Sequence, residues 1–216
     1  MLVRDRMTLK PVTITPEVSV TEALRLMGER KIRRLPVLDA AGKLVGIVSD
    51  RDLFQASPSP ATSLAIWEIH DLLAKLTVEK SMTREVITVT EDTPLEEAAR
   101  VMVDSKIGGL PVMKGDELVG IISESDLFRT LLELLGGRRQ GVRITVSTTG
   151  AKGTLADVAN TIHEAGGNIV GLGFSEVDSS DGGTWVNTFK VQGVAKEKLV
   201  EAMRPHVLEV MDVRET

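Results

Sequence analysis

One segment of about fifty residues is written twice in this chain, over 7–54 and again over 82–128. Met7, Thr8, Thr13, Thr15, Glu22, Ala23, Met27, Lys31, Ile32, Leu35, Pro36 and Val37 return 75 positions later as Met82, Thr83, Thr88, Thr90, Glu97, Ala98, Met102, Lys106, Ile107, Leu110, Pro111 and Val112. One residue is lost in a turn. After it, Leu44-Val45-Gly46-Ile47 and Ser49-x-x-Asp52-Leu53-Phe54 come back as Leu118-Val119-Gly120-Ile121 and Ser123-x-x-Asp126-Leu127-Phe128. Duplication at this period predicts two like units packed face to face on a pseudo-two-fold axis, with a cleft between them. Function is to be sought in that cleft.

With 216 residues the chain can bury its cores without covalent staples. It has no cysteine, which excludes disulfides, thiolate nucleophiles and cysteine zinc sites and fits a reducing compartment, so the cytoplasm is the expected location. Residues 1–10 are already charged, unlike a secretion signal, and no stretch approaches the roughly 20 apolar residues of a membrane helix. A formal net charge of −5 argues against a nucleic-acid partner. The basic run Arg138-Arg139-Gln140-Gly141-Val142-Arg143 reads as a solvated linker.

Each repeat has the pattern strand, amphipathic helix, strand, turn, strand, helix, or βαββα. Val12-Thr13-Ile14-Thr15 alternates as a strand, and Ser19-Val20-Thr21-Glu22 is a capping-box start for the first helix. Asp39-Ala40-Ala41-Gly42 is a hairpin turn, as is Lys114-Gly115-Asp116-Glu117. The second copy opens its helix at Thr93-Pro94, with the threonine as N-cap. Between the copies, Ser57-Pro58-Ser59-Pro60 marks a linker and 64–76 a helix. After the Gly136-Gly137 break the order becomes βαββαβ, an antiparallel sheet with two helices on one face. Gly171-Leu172-Gly173 lacks the third glycine of a dinucleotide loop and reads as a strand bulge. The expected fold class is therefore α+β, divided as 1–60, a linker with helix at 61–78, 79–135, a linker at 136–141, and 142–216.

Two copies closing on Gly-hydrophobic-x-Ser-x-x-Asp, preceded by Ile32-Arg33-Arg34-Leu35-Pro36-Val37 and Ile107-Gly108-Gly109-Leu110-Pro111-Val112, resemble the tandem CBS pair, or Bateman module. The tail resembles an ACT domain of ferredoxin-like fold through Gly153-Thr154-Leu155 and Gly167-Asn168-Ile169. The combination is similar to the AcuB-type group of CBS proteins. The resemblance implies a regulatory protein that takes an adenine nucleotide, with or without Mg2+, between the copies; S-adenosylmethionine is the alternative ligand. It implies no required cofactor, a homodimer through the CBS or ACT domains, and a regulated enzyme as partner.

Ser49 and Asp52, like Ser123 and Asp126, put a hydroxyl and a carboxylate at a helix mouth. The helix end and hydroxyl can hold phosphate, and the carboxylate can accept from ribose hydroxyls. The same residues also read as a capping box serving their own helix. Arg33 and Arg34 of the first copy are replaced by Gly108 and Gly109 in the second, which predicts unequal sites: guanidinium groups for phosphate in one half, bare main chain open to adenine or ribose in the other. By resemblance, Val12, Pro36, Ile87 and Pro111 line an adenine pocket; each is equally explicable as core. The ACT resemblance nominates Gly153 and Asn168 as effector contacts, although the loop Ser147-Thr148-Thr149-Gly150 lacks the acid that amino-acid-binding ACT domains often carry. His70, His163 and His206 stand on separate elements without a partner at metal or triad spacing, and H-E-x-x-H, G-x-S-x-G and Walker patterns are absent. No catalytic residue or metal site is expected. A structural module with vestigial pockets is the competing reading.

Overall fold

The computed structural model describes residues 1–56, 76–178 and 183–216. The Ser-Pro linker and nearly all of the helix expected over 64–76, with His70, lie outside the described residues. Contacts divide the chain into two compact units, 1–127 and 128–216.

In the first copy, Ser19 Oγ accepts from Glu22 N at 3.2 Å and starts helix α1 (Val20–Arg30). The Glu22 carboxylate is held by Arg25 instead of turning back to the cap. Val20, Ala23 and Met27 recur on one face of α1 and are buried. Strands β2 (Arg34–Leu38) and β3 (Leu44–Ser49) follow as an antiparallel hairpin, then helix α2 (Asp50–Ala56). The turn forms as its composition demands: Asp39 Oδ1 accepts from Ala41 N and Lys43 N at 2.9 and 2.8 Å, while Gly42 takes φ +79°. The strand expected over 12–15 shrinks to a single bridge, Ile14 beside Val37.

The second copy repeats this plan with β4 (Val89–Thr90), α3 (Leu95–Ser105), β5 (Gly109–Lys114), β6 (Glu117–Ser123) and α4 (Glu124–Leu134). Its helix start differs from expectation by one residue. Pro94 is the N-cap, in the place of Ser19, and the Thr93 hydroxyl turns back to accept from Thr90 N at 3.0 Å. Proline brings no hydroxyl, so this helix begins without a side-chain cap.

The leading residues of each copy are exchanged. Val3, in a 3-10 turn (Val3–Asp5), is fully buried among Val89, Leu95, Ala98 and Met102 of the second copy, and β1 (Thr8–Leu9) pairs with β6. Reciprocally, Val78 in its own 3-10 turn (Val78–Lys80) is buried in the first core with Val20, Met27 and Leu35, and Thr83 bridges Ile47. The seams are equivalent: a Cβ at Gly46 would lie 2.6 Å from Met82 Sδ, and one at Gly120 2.5 Å from Met7 Sδ. Contact i-on-j matched by j-on-i is what a two-fold relation generates.

The second unit contains β7 (Val142–Thr149), α5 (Thr154–Glu164), β8 (Asn168–Asp178), β9 (Thr184–Gln192), α6 (Lys196–Met203) and β10 (Glu209–Glu215). They form an antiparallel sheet in the order β10-β7-β9-β8, so β8 and β10 are its edges. Ile144, Val146, Phe189 and Val191 from the sheet meet Val158, Ile162, Leu199 and Met203 from the two helices, all buried in one core. The expected bulge is present, as a register shift between Ile169 and Gly171. Gly171 has a second reason to be glycine: a Cβ there would lie 2.5 Å from Gly136 N, because the Leu135-Gly136 main chain runs directly over β8.

Candidate functional site

Strand β3 ends at Ser49 and α2 begins at the next residue, so the serine is an N-cap at the edge of the interface between copies. Ser49 N and Oγ both donate to Asp52 Oδ2, at 2.9 and 2.7 Å, and Asp52 N donates back to Ser49 Oγ at 3.3 Å. Ser123 and Asp126 repeat the arrangement at 2.9 and 2.6 Å. The reciprocal capping box thus closes in the first copy, and the second repeats its carboxylate half. It commits the Ser49 hydroxyl to the cap, leaving that hydroxyl unavailable as the phosphate donor considered from sequence. Among the described residues no hydrogen bond reaches Asp52 Oδ1, so the cap holds the carboxylate in place and leaves one oxygen for another donor.

Asp52 opens on a cleft of about 580 Å3 between the copies. That is the size range of ligand sites. The first copy contributes Arg33, Arg34, Ser49, Asp50, Arg51, Asp52 and Gln55; the second contributes Thr83, Glu85, Val86, Ile87, Lys106, Gly108, Gly109 and Pro111. Four cations, Arg33, Arg34, Arg51 and Lys106, stand against three acids, Asp50, Asp52 and Glu85. The apolar wall is Ile47, Val86, Ile87, Ile107 and Pro111. Ile87 is 44% exposed, an uncovered aliphatic surface facing the hollow.

Arg34 has a particular position. It begins β2, and its repeat counterpart is Gly109. Its side chain crosses onto the second copy: a Cβ at Gly109 would lie 3.2 Å from Arg34 Cδ, and one at Gly108 would fall inside the van der Waals envelope of Arg34 Nη2. The glycines thus make room for an arginine, which corrects the expectation that their main chain lies bare. Burial, and then the Arg33 charge, push the Arg34 guanidinium below its ordinary value against the pull of Glu124, Asp50 and Asp52.

Of the residues nominated from sequence, Arg33, Arg34, Ser49, Asp52, Ile87, Gly108, Gly109 and Pro111 converge on this cleft. Val12 packs half-buried against the first core, Pro36 is buried in β2 with its carbonyl accepting from Ile14 N at 3.1 Å, and neither lines the cleft. Ser123 and Asp126 hold the equivalent mouth on the second copy. Gly153, before α5, and Asn168, opening β8, lie at opposite ends of the C-terminal sheet and are not brought together. Arg51, Lys106 and Glu85 were missed by sequence reasoning. Lys106 carried a signal in its repeat of Lys31; Arg51, between Ser49 and Asp52, carried none in the second copy, where Ser125 replaces it. Among the described residues there is no cluster of side chains able to hold a metal, and no helix long and apolar enough to cross a membrane.

The model of the CBS domain family matches residues 3–59 and 75–133. A CBS domain-containing protein of Dictyostelium discoideum is 35% identical over 139 residues, 62% of this chain and 94% of that protein. The L-aspartate semialdehyde sulfurtransferase of Methanocaldococcus jannaschii is 34% identical over 64% of this chain but only 24% of the enzyme, so the relatives include enzymes as well as stand-alone CBS proteins. Among solved structures, a protein from Vibrio cholerae assigned to acetoin utilization (AcuB) aligns with TM-score 0.53 at 36% identity over 64% of this chain and 95% of its own. CBSX2 in complex with AMP aligns with TM-score 0.51 at 34% identity over 61% and 96% of the two chains. The CBS domain pair of protein MJ0100, in complex with 5'-methylthioadenosine and S-adenosyl-L-methionine, aligns with TM-score 0.51 at 33% identity over 64% and 98%. A duplicated unit with exchanged leading segments, closed by two Ser-x-x-Asp caps and matched in both copies, settles the family: this chain belongs to the CBS domain proteins.

Proposed function

We propose that this chain is a non-catalytic sensor that binds an adenine nucleotide of the AMP, ADP and ATP class in the cleft between its CBS copies. The observation that carries the reading is the free Oδ1 of Asp52, held by its cap at the mouth of a 580 Å3 hollow that also offers four cations and the exposed face of Ile87. A carboxylate suits vicinal ribose hydroxyls, aliphatic walls and Pro111 suit the purine, and guanidinium groups suit phosphate. The neighbours solved with AMP and with S-adenosyl-L-methionine support an adenosine ligand of either kind. S-adenosylmethionine is the second reading, because Asp50, Asp52 and Glu85 could face its sulfonium. Ser123 and Asp126, with Val12 and Pro36, would build the equivalent half-site on the other copy.

Occupancy is passed on through the C-terminal βαββαβ unit, which has the strand order expected of an ACT-type domain, or to a partner enzyme; the chain works as a homodimer. A ligand at a hundred times its dissociation constant stabilises the competent state by about 2.7 kcal/mol, enough to invert a modest two-state bias. Thermal melting of the full chain with AMP, ADP and ATP, each with and without Mg2+, and with S-adenosylmethionine is expected to raise the melting temperature with at least one nucleotide. No shift with any of them, alongside a stable oligomer in sizing chromatography, would favour the structural-module reading instead.

A further inference from the structure

Arg34 is half-buried, yet among the described residues its guanidinium makes no hydrogen bond and no ion pair. Its nitrogens stay within reach of water, and five N–H donors without a protein acceptor are held there by no directional bond. The side chain covers the place in the cleft where the main chain has no side chain of its own, Gly108 and Gly109 of the other copy, and the Glu124 carboxylate crowds the same Cβ position of Gly108 from close beside it. Asp50 and Asp52 pull on it from the first copy and Glu124 from the second. No second arginine can match it, because the repeat has glycine at the counterpart position.

Resting on the adenosine reading of this cleft, we propose that Arg34 is a displaceable occupant. It lies across Gly108 and Gly109 without an acceptor from the protein; a phosphorylated ligand supplies that acceptor and draws it off them. An unphosphorylated adenosine has no acceptor of that strength and must compete with Arg34 for the same floor. Arg34 then favours nucleotides over nucleosides twice over, by attracting one and obstructing the other. Because it starts from the first copy and rests on the second, its movement also changes what holds the copies together at the seam.

Isothermal titration of the full chain with AMP and with adenosine, on the wild type, Arg34→Ala and Arg34→Lys, tests this. Arg34→Ala is expected to weaken AMP about tenfold to a hundredfold, the worth of charge-assisted hydrogen bonds. It should tighten adenosine, whereas Arg34→Lys, keeping the charge, should retain most AMP affinity. Opposite signs for the two ligands are something a merely structural residue would not produce. Equal losses for both would reduce Arg34 to a packing role, and no change for either would overturn the proposal while leaving the adenosine reading intact. A wild type that binds neither ligand would overturn the adenosine reading and this proposal with it.

Discussion

Lys31 and Lys106 end their helices at positive φ, +53° and +55°, a conformation in which a side chain other than glycine costs about 1 kcal/mol or more. The repeat keeps lysine at both positions, and Lys106 lines the cleft. Two outcomes separate conformation from charge. Lys31→Gly should raise stability by about 0.5–1 kcal/mol in a denaturant titration. Lys106→Gly should stabilise similarly but weaken nucleotide binding, a trade read by running melting and calorimetry on the same variant. The Ser-x-x-Asp signature is open to similar dissection. Asp52→Ala removes the carboxylate half of the capping box and the free oxygen together, so it should cost about 0.5–2 kcal/mol of stability as well as ligand affinity. From sequence the residue type and its place at a helix start were legible. That the cap engages one carboxylate oxygen and leaves the other was not, since it depends on a side-chain torsion.

At the scale of elements, the exchanged segments decide what holds the first unit together. Val3 is fully buried in a core to which it is not adjacent in sequence, so Val3→Ala should cost about 2 kcal/mol and lower the stability of residues 1–127 as one cooperative unit. Gly46→Ala and Gly120→Ala should each cost about 1–3 kcal/mol, because the new methyl meets a methionine sulfur and, 3.2 and 3.1 Å away, the carbonyls of Thr83 and Thr8. Equal losses at the two glycines would bear on the two-fold relation itself. The helices, hairpins and turns were readable from periodicity, caps and Asp-Gly chemistry, including the Lys196–Met203 helix at its full extent. The exchange was not readable, because a segment as short as 1–9 carries no pattern that says which core will take its valine. The strand expected over 12–15 alternates correctly but secures only one bridge, since alternation reports a side-chain period and not a hydrogen-bond partner.

On the scale of the whole molecule, the duplication made both copies, the cleft between them and eight of its lining residues legible before any coordinates. Arg34 shows where that reasoning stopped. Its mismatch with Gly109 was visible, but an aligned pair of repeats does not say that the larger residue will lie across the smaller one. Calorimetry with AMP on the wild type and on Asp52→Asn asks whether the cleft takes an adenosine ligand through the Asp52 carboxylate. The asparagine keeps an oxygen for the cap while removing the charge. The account predicts saturable binding by the wild type and at least about tenfold weaker binding by a variant that still melts cooperatively. Equal affinity of the two proteins for AMP would contradict it.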